Sequence, residues 1–231
     1  MRKFFAELFG TYLLVLFGCG TAMLIGNIAR VSGRYLLTAI AFGLAFVAAA
    51  YCVGRISGSH FNPAVSFGML LAGKMHPLHF VSYLVAQFAG AFAGAETLNL
   101  IFALGGVTDQ TGSFASNNLI GVNGSILAGL LVETILTFVF VLVFLRVSER
   151  GGNNTSLGRM IIGMTLSLVN IFGIRLTAAS VNPARSFGTA FTALLAGNVE
   201  PIFPLWIFLL APMGGGGLAA IAYRLTRFGK S

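Results

Sequence analysis

The sequence predicts an all-α membrane protein of six transmembrane helices and two re-entrant half-helices, arranged as an inverted repeat. Three observations predict it. The chain of 231 residues is 57% hydrophobic and only 9% charged, far from the roughly 25% charged residues of a soluble domain. Six apolar stretches, about 4–26, 35–54, 79–104, 125–147, 157–175 and 204–224, are each long enough to cross a bilayer. The tripeptide Asn-Pro-Ala occurs twice, as Asn62-Pro63-Ala64 and Asn182-Pro183-Ala184, each time ahead of an apolar run of about ten residues.

The first span opens with Arg2-Lys3 and runs into Leu16-Phe17-Gly18-Cys19, a superficial likeness to a lipoprotein signal peptide. Glu7 interrupts the apolar run and the rest of the chain is itself membranous, so the segment reads as a retained first helix. Cys19 and Cys52 fall inside the first two spans. A thiol there behaves as a small hydrophobe, and no disulfide framework is implied.

Between the second and third spans comes the first half-helix, about 63–72. Asn62 caps it and Pro63 fills the first helical position, where no N–H is needed. At ~1.5 Å per residue, ten residues reach ~15 Å, half of a ~30 Å hydrocarbon core, so the helix starts near the midplane. The third span carries Gly90, Ala91, Gly94 and Ala95, and the loop 105–124 after it holds no Lys or Arg.

The pattern then repeats. Val132-Glu133-Thr134-Ile135 echoes Ala6-Glu7-Leu8-Phe9, the second half-helix at about 183–194 sits between the fifth and sixth spans, and Gly215, Gly216, Ala219 and Ala220 answer the small residues of the third. The halves, about 1–104 and 125–231, form one transmembrane domain, 1–231, linked by the loop 105–124. Three spans per half is an odd number, so the second half enters the membrane upside down, with the site expected near the midplane where the halves meet.

The formal charge is +8, yet the basic residues lie in short loops and at the ends of apolar segments, which is a topology signal and excludes nucleic-acid binding. With the N-terminus in the cytoplasm, Arg2, Lys3, Arg55, Lys74, Arg146, Arg150, Arg159, Arg224, Arg227 and Lys230 lie inside. Arg30, Arg34, Arg175 and Arg185 lie outside, a ratio of 10 to 4 that makes both termini and the loop 146–158 cytoplasmic and the loop 105–124 external.

Two half-helices entering from opposite faces are tolerated only where they line a cavity or are buried in protein. Each N-terminus carries roughly +0.5 elementary charge, so the midplane between them repels cations, hydronium included. The spare amide N–H groups of Asn62 and Asn182 then face the lumen as donors, and the backbone carbonyls of Ser59, His60, Phe61, Ala178, Ala179 and Ser180 line the approaches as acceptors. Donors at the centre and acceptors along the arms suit a small uncharged hydrogen-bonding molecule.

Over nearly its whole length the chain resembles the aquaporins of the major intrinsic protein family, the bacterial members most of all. The likeness is carried by Ala6-Glu7-Leu8-Phe9-Gly10-Thr11, by Ile56-Ser57-Gly58-Ser59-His60-Phe61-Asn62-Pro63-Ala64-Val65 and by Ser180-Val181-Asn182-Pro183-Ala184-Arg185-Ser186. It implies a passive channel in the bacterial inner membrane that conducts water and some small neutral solutes, excludes ions and protons, needs no cofactor or metal, and assembles as a homotetramer in the lipid. It also implies that Arg185 and Phe42 belong to an external filter and that Glu7 and Glu133 brace the two re-entrant loops. Two filter positions depart from the water-selective pattern, with Asn170 in place of histidine and Ala179 in place of Thr or Cys.

Less side-chain bulk there predicts a wider pore, and Leu209 points the same way, toward a facilitator of glycerol, metalloid hydroxides (arsenite, boric acid) or ammonia. Ser186 and Ala190 point back toward water. An ion-coupled secondary transporter shares inverted repeats and broken helices but requires coupling carboxylates at the site. No acid, base and nucleophile set suggests an enzyme. His60 reads as ordering its loop, and His76 and His79 read either as solvated or as a pH sensor. Glu96 has no counterpart in the sixth span.

Overall fold

The computed structural model describes residues 1–26 and 33–226, together with the backbone but not the side chain of Arg150. Six helices are long and apolar enough to cross a membrane: α1 (Arg2–Ile25), α2 (Arg34–Ser57), α4 (Pro77–Gly105), α5 (Ile126–Val147), α6 (Ser156–Thr177) and α8 (Leu205–Leu225). Two short ones, α3 (Pro63–Leu71) and α7 (Pro183–Leu195), lie where the Asn-Pro-Ala repeats place half-helices. Arg30, Arg227 and Lys230, part of the loop-charge count, lie outside the described residues.

The ends of the helices follow from local chemistry. α2 runs three residues past its expected end because Gly58, at φ 93°, closes it with an N–H bond to the Gly54 carbonyl. Ala178 closes α6 in the same left-handed region, at φ 58°. His76 caps α4 by accepting from the Leu78 N–H at 3.3 Å, ahead of Pro77 in the first turn, which gives this histidine a structural role.

α1 packs on α2 and α4, α5 packs on α6 and α8 in the same way, and α2 against α6 joins the halves. Each half-helix lies against the last span of the opposite half, α3 on α8 and α7 on α4. The small residues permit equivalent close contacts in both halves. A Cβ on Gly90 would stand 2.1 Å from the Leu8 carbonyl oxygen, and one on Gly215 would stand 2.5 Å from that of Thr134, the residue that answers Leu8. Both distances are impossible for a real side chain, so glycine is what lets these helices touch backbone to backbone.

Large apolar side chains such as Leu44, Leu100, Leu131, Leu168 and Phe172 face outward, while Glu7, Glu133, Asn62, Asn182, Gln87 and Arg185 are buried. That is the reverse of a soluble protein and suits a hydrocarbon solvent. Two arginines of that charge count are buried, Arg159 at 3% and Arg185 at 1% exposure. Cys19 is buried, Cys52 is exposed and both are free thiols.

Candidate functional site

The site grows from the two caps. Asn62 Oδ1 accepts from the Ala64 N–H at 2.8 Å, and Asn182 Oδ1 accepts from Ala184 at 3.1 Å and Arg185 at 3.3 Å. With its oxygen turned onto its own helix, each amide nitrogen points at the other half. Asn62 Nδ2 donates to the Val181 carbonyl and Asn182 Nδ2 donates to the Phe61 carbonyl, both at 2.8 Å. An amide nitrogen has two hydrogens, so each asparagine keeps one for the lumen, which both residues line.

The loops ahead of the caps take a conformation that few side chains tolerate. Ser59 and Phe61 in one, and Ala179 and Val181 in the other, have positive φ between 44° and 61°. Such strain persists only where the surroundings enforce it. Here it turns consecutive N–H groups toward one carboxylate, an anion-binding nest. Glu7 accepts from His60 N at 3.1 Å and Phe61 N at 2.7 Å, and Glu133 accepts from Ser180 N and Val181 N, both at 2.9 Å. Gln87 Nε2 adds a donor to Glu7 at 2.7 Å and Thr177 Oγ1 one to Glu133 at 2.6 Å.

With the N–H groups drawn outward to the carboxylates, four carbonyls, those of Ser59, His60, Ala179 and Ser180, have no donor among the described residues. Of the expected set of six, two already have a donor. The Phe61 carbonyl is held by Asn182, and the Ala178 carbonyl, at the cap of α6, faces Arg185 Nη2 at 3.5 Å. The repeat explains the first: Phe61 answers Val181, and both carbonyls serve to tie the halves together.

His60 Nδ1 lies 3.0 Å from Ser66 Oγ, and Ser180 Oγ bonds Ser186 Oγ at the same six-residue spacing in the other loop. His60 is further wedged between the rings of Tyr83 and Phe144, at 5.1 Å and 5.6 Å. Glu96 lies on the outside of the bundle and accepts from Asn99 Nδ2 at 3.4 Å, away from the lumen.

On the α6 side of the caps, Phe42, Asn170 and Arg185 converge. The guanidinium carbon of Arg185 stands 5.6 Å from the Phe42 ring centroid. Asn170 spends its Nδ2 on the Leu166 carbonyl at 2.8 Å, which leaves its buried Oδ1 without a protein partner. The Arg185 Nε is likewise unpartnered. Together they offer one acceptor and one donor to a passing molecule.

Ala179 does not join them with its side chain. Its methyl packs against Ala39 and Ile174, and only its carbonyl is free. The left-handed φ of 44° at this residue sends the Cβ into the α2 and α6 packing rather than toward the lumen.

One residue here carried no sequence signal. Asn117, in the loop between α4 and α5, accepts from Arg185 Nη1 and from Ser186 Oγ, the latter at 2.8 Å, and donates to the Thr177 carbonyl at 3.0 Å. A lone asparagine in a loop belongs to no period and no repeat, so nothing singles it out. Gln87, which bridges Glu7 and Ser66, is a second such residue.

The lumen so formed is lined by Phe42, Phe46, His60, Asn62, Asn170, Ser180, Asn182 and Arg185 among others, and the space open to a water's centre is about 10 Å³. That is about the volume one water needs. Its polar wall is made of fixed donors and acceptors, with no carboxylate on it.

The chain matches the family model described as Major intrinsic protein over residues 1–223. It is 39% identical over 232 aligned positions to an Aquaporin Z of Brucella melitensis biotype 1, covering 97% of each chain. It is 34% identical to an Aquaporin Z of Bradyrhizobium diazoefficiens, covering 97% of this chain and 92% of that one. Among solved structures it resembles the aquaglyceroporin from Plasmodium falciparum, at a TM-score of 0.87 and 25% identity over 97% of this chain and 96% of that one. An FNT family ion channel, at a TM-score of 0.59 and 16% identity over 96% of this chain and 86% of that one, shares the fold alone. On this match and these identities, the chain belongs to the major intrinsic protein family.

Proposed function

We propose that the chain is a passive channel whose main permeant is water and which excludes ions and protons. The observation that carries this reading is the pair of cross-tied asparagines facing a lumen whose free volume is about that of one water. A water at the caps accepts from both amides, so its own hydrogens point away along the arms and it cannot relay a proton. The two half-helix N-termini, each roughly +0.5 elementary charge, and the Arg185 guanidinium oppose any cation. The carbonyls of Ser59, His60, Ala179 and Ser180 receive the hydrogens of waters entering from either side. The names of the two Aquaporin Z relatives agree with this permeant.

A second reading adds small neutral solutes such as glycerol. It is favoured by the free Oδ1 of Asn170, an acceptor suited to a solute hydroxyl, and it fits the aquaglyceroporin likeness. Ion-coupled transport is disfavoured, because Glu7 and Glu133 are committed to backbone N–H groups.

In the cell we place the protein in the bacterial inner membrane as a homotetramer with one pore per subunit. The 10 to 4 charge bias supports cytoplasmic termini. Stopped-flow light scattering on proteoliposomes, with impermeant sucrose and then with each solute, tests the permeants, and a trapped pH dye tests the proton barrier. Water permeability above empty liposomes with no added proton leak is the expected result. A proton leak rising in step with water flux overturns the proposal.

A further inference from the structure

Glu96 is a carboxylate that the channel does not use. It lies on the outward side of α4, partly exposed, on a helix whose Ala93, Leu100 and Leu104 face the hydrocarbon. Its Oε1 is enclosed without a donor among the described residues, and its Oε2 receives one long bond, from Asn99 Nδ2 at 3.4 Å. A carboxylate so poorly served is costly beside lipid. With Thr97, Asn99, Leu100 and Ala103 it lines a niche of about 420 Å³ on the surface of the bundle.

The level of the niche follows from the packing of α4 on α7. Phe88 meets Phe187 at 5.3 Å and Phe92 meets Phe191 at 5.5 Å. One turn further on, that register brings Glu96 level with Leu195, the last residue of α7. From its Asn182 cap near the midplane, α7 has 13 residues, ~20 Å at ~1.5 Å each, against ~15 Å for half of a ~30 Å core. With some tilt, Glu96 stands at the border between hydrocarbon and headgroups.

The niche offers acceptors and negative charge. Thr97 Oγ1 gives its hydrogen to the Ala93 carbonyl at 2.8 Å and Asn99 gives an amide hydrogen to Glu96, so Thr97 Oγ1, Asn99 Oδ1 and Glu96 Oε2 are left to accept. The negative end of α7 lies at the same level. No cation answers them: among the described residues the one ion pair is that of Arg146 with Glu149, and the loop 105–124 that follows α4 holds no Lys or Arg. A solvent ion gains nothing from the apolar walls at Leu100 and Ala103, whereas a lipid brings its cation with apolar chains attached.

We propose that this niche binds the primary ammonium headgroup of a phosphatidylethanolamine of the outer leaflet, which donates to Glu96 Oε2 and Asn99 Oδ1 while the acyl chains lie along the outward side of α4. The site is outside the lumen and stands or falls independently of the permeant. The orientation proposed above decides only the leaflet.

The test is native mass spectrometry of the detergent-purified protein with phosphatidylethanolamine or phosphatidylcholine added in equal amounts, alongside its melting temperature with each lipid and with ammonium chloride. Phosphatidylcholine carries the same charge but no N–H on its headgroup, so the comparison isolates donation to the niche. The wild type is expected to keep phosphatidylethanolamine adducts in preference to phosphatidylcholine and to melt higher with the former. Glu96→Gln is expected to lose about tenfold of that preference, roughly what one charge-assisted hydrogen bond supplies. Ala103→Trp, which fills the niche and leaves the carboxylate, is expected to lose the preference as well. Wild-type water permeability in phosphatidylcholine liposomes shows that both variants are folded.

Equal retention of the two lipids by the wild type, or an unchanged preference in Glu96→Gln, overturns the proposal. So does stabilisation by ammonium chloride equal to that by phosphatidylethanolamine, which would leave a small-cation site without a lipid. A change of oligomeric state in Glu96→Gln with no lipid preference in the wild type also overturns it, since this face of α4 would then be a contact between copies.

Discussion

Replacing Asn117 by alanine tests the filter most directly, because Arg185 has only one strong partner. In the native site Nη1 donates to Asn117 Oδ1, Nη2 reaches the Ala178 carbonyl only at 3.5 Å, and Nε is free. A bond at 3.5 Å is at the outer limit of usefulness. Loss of a hydrogen bond to a charged group costs about 1.5–3 kcal/mol, which raises the ratio of undocked to docked arginine by roughly tenfold to a hundredfold.

An undocked guanidinium has the lumen as its nearest polar refuge, since Phe42 walls its other side. Asn117→Ala is therefore expected to lower water permeability per reconstituted channel at least about twofold, given that shift in population. Asn117→Asp keeps the acceptor for Arg185 while losing the donor to Thr177, and is expected to stay near wild type. Stopped-flow rates normalised to protein content decide between them. Wild-type permeability in Asn117→Ala refutes the argument, and an equal fall in both variants moves the role from Arg185 to the Thr177 tie.

Two further expectations follow from the same geometry. Glu133→Gln puts an amide where Ser180 and Val181 both donate; one N–H is left facing a donor, at about 1–3 kcal/mol for a buried unpaired group, and the detergent-solubilised protein should melt several degrees lower, with an unchanged melting temperature counting against the brace. Ala179→Thr should leave solute selectivity unchanged because that side chain is packed against Ala39 and Ile174, whereas Asn170→His should reduce glycerol entry by removing the free Oδ1; liposome swelling with glycerol separates the two, and a change from Ala179→Thr alone contradicts the assignment.

The repeat explains why so much of the site was legible. Asn62 and Asn182 as caps, and Glu7 and Glu133 as loop braces, each appear twice in matching surroundings, so one copy argues for the other. What had no twin stayed hidden. Asn117 lies in the linking loop between the halves, and its contact with Arg185 spans 68 positions.

The direction of a side chain was equally unreadable where the backbone is strained. The resemblance puts Ala179 in the filter, but at a φ of 44° its methyl packs against Ala39 and Ile174 and its carbonyl is left without a donor. The burial of Arg159 was not readable either, because burial at a helix end depends on what packs beside it, here Tyr51.

The reciprocal bonds from Asn62 to Val181 and from Asn182 to Phe61 bear on how the molecule is made. Synthesis delivers the first half to the bilayer, its loop braced by Glu7, before the second-half partners of its cross-ties, Val181 and Asn182, have been made. Until they arrive, the Phe61 oxygen and the Asn62 amide have no partner, and α3 lacks α8, the helix it rests on. A nascent chain interrupted midway thus contains no finished passage.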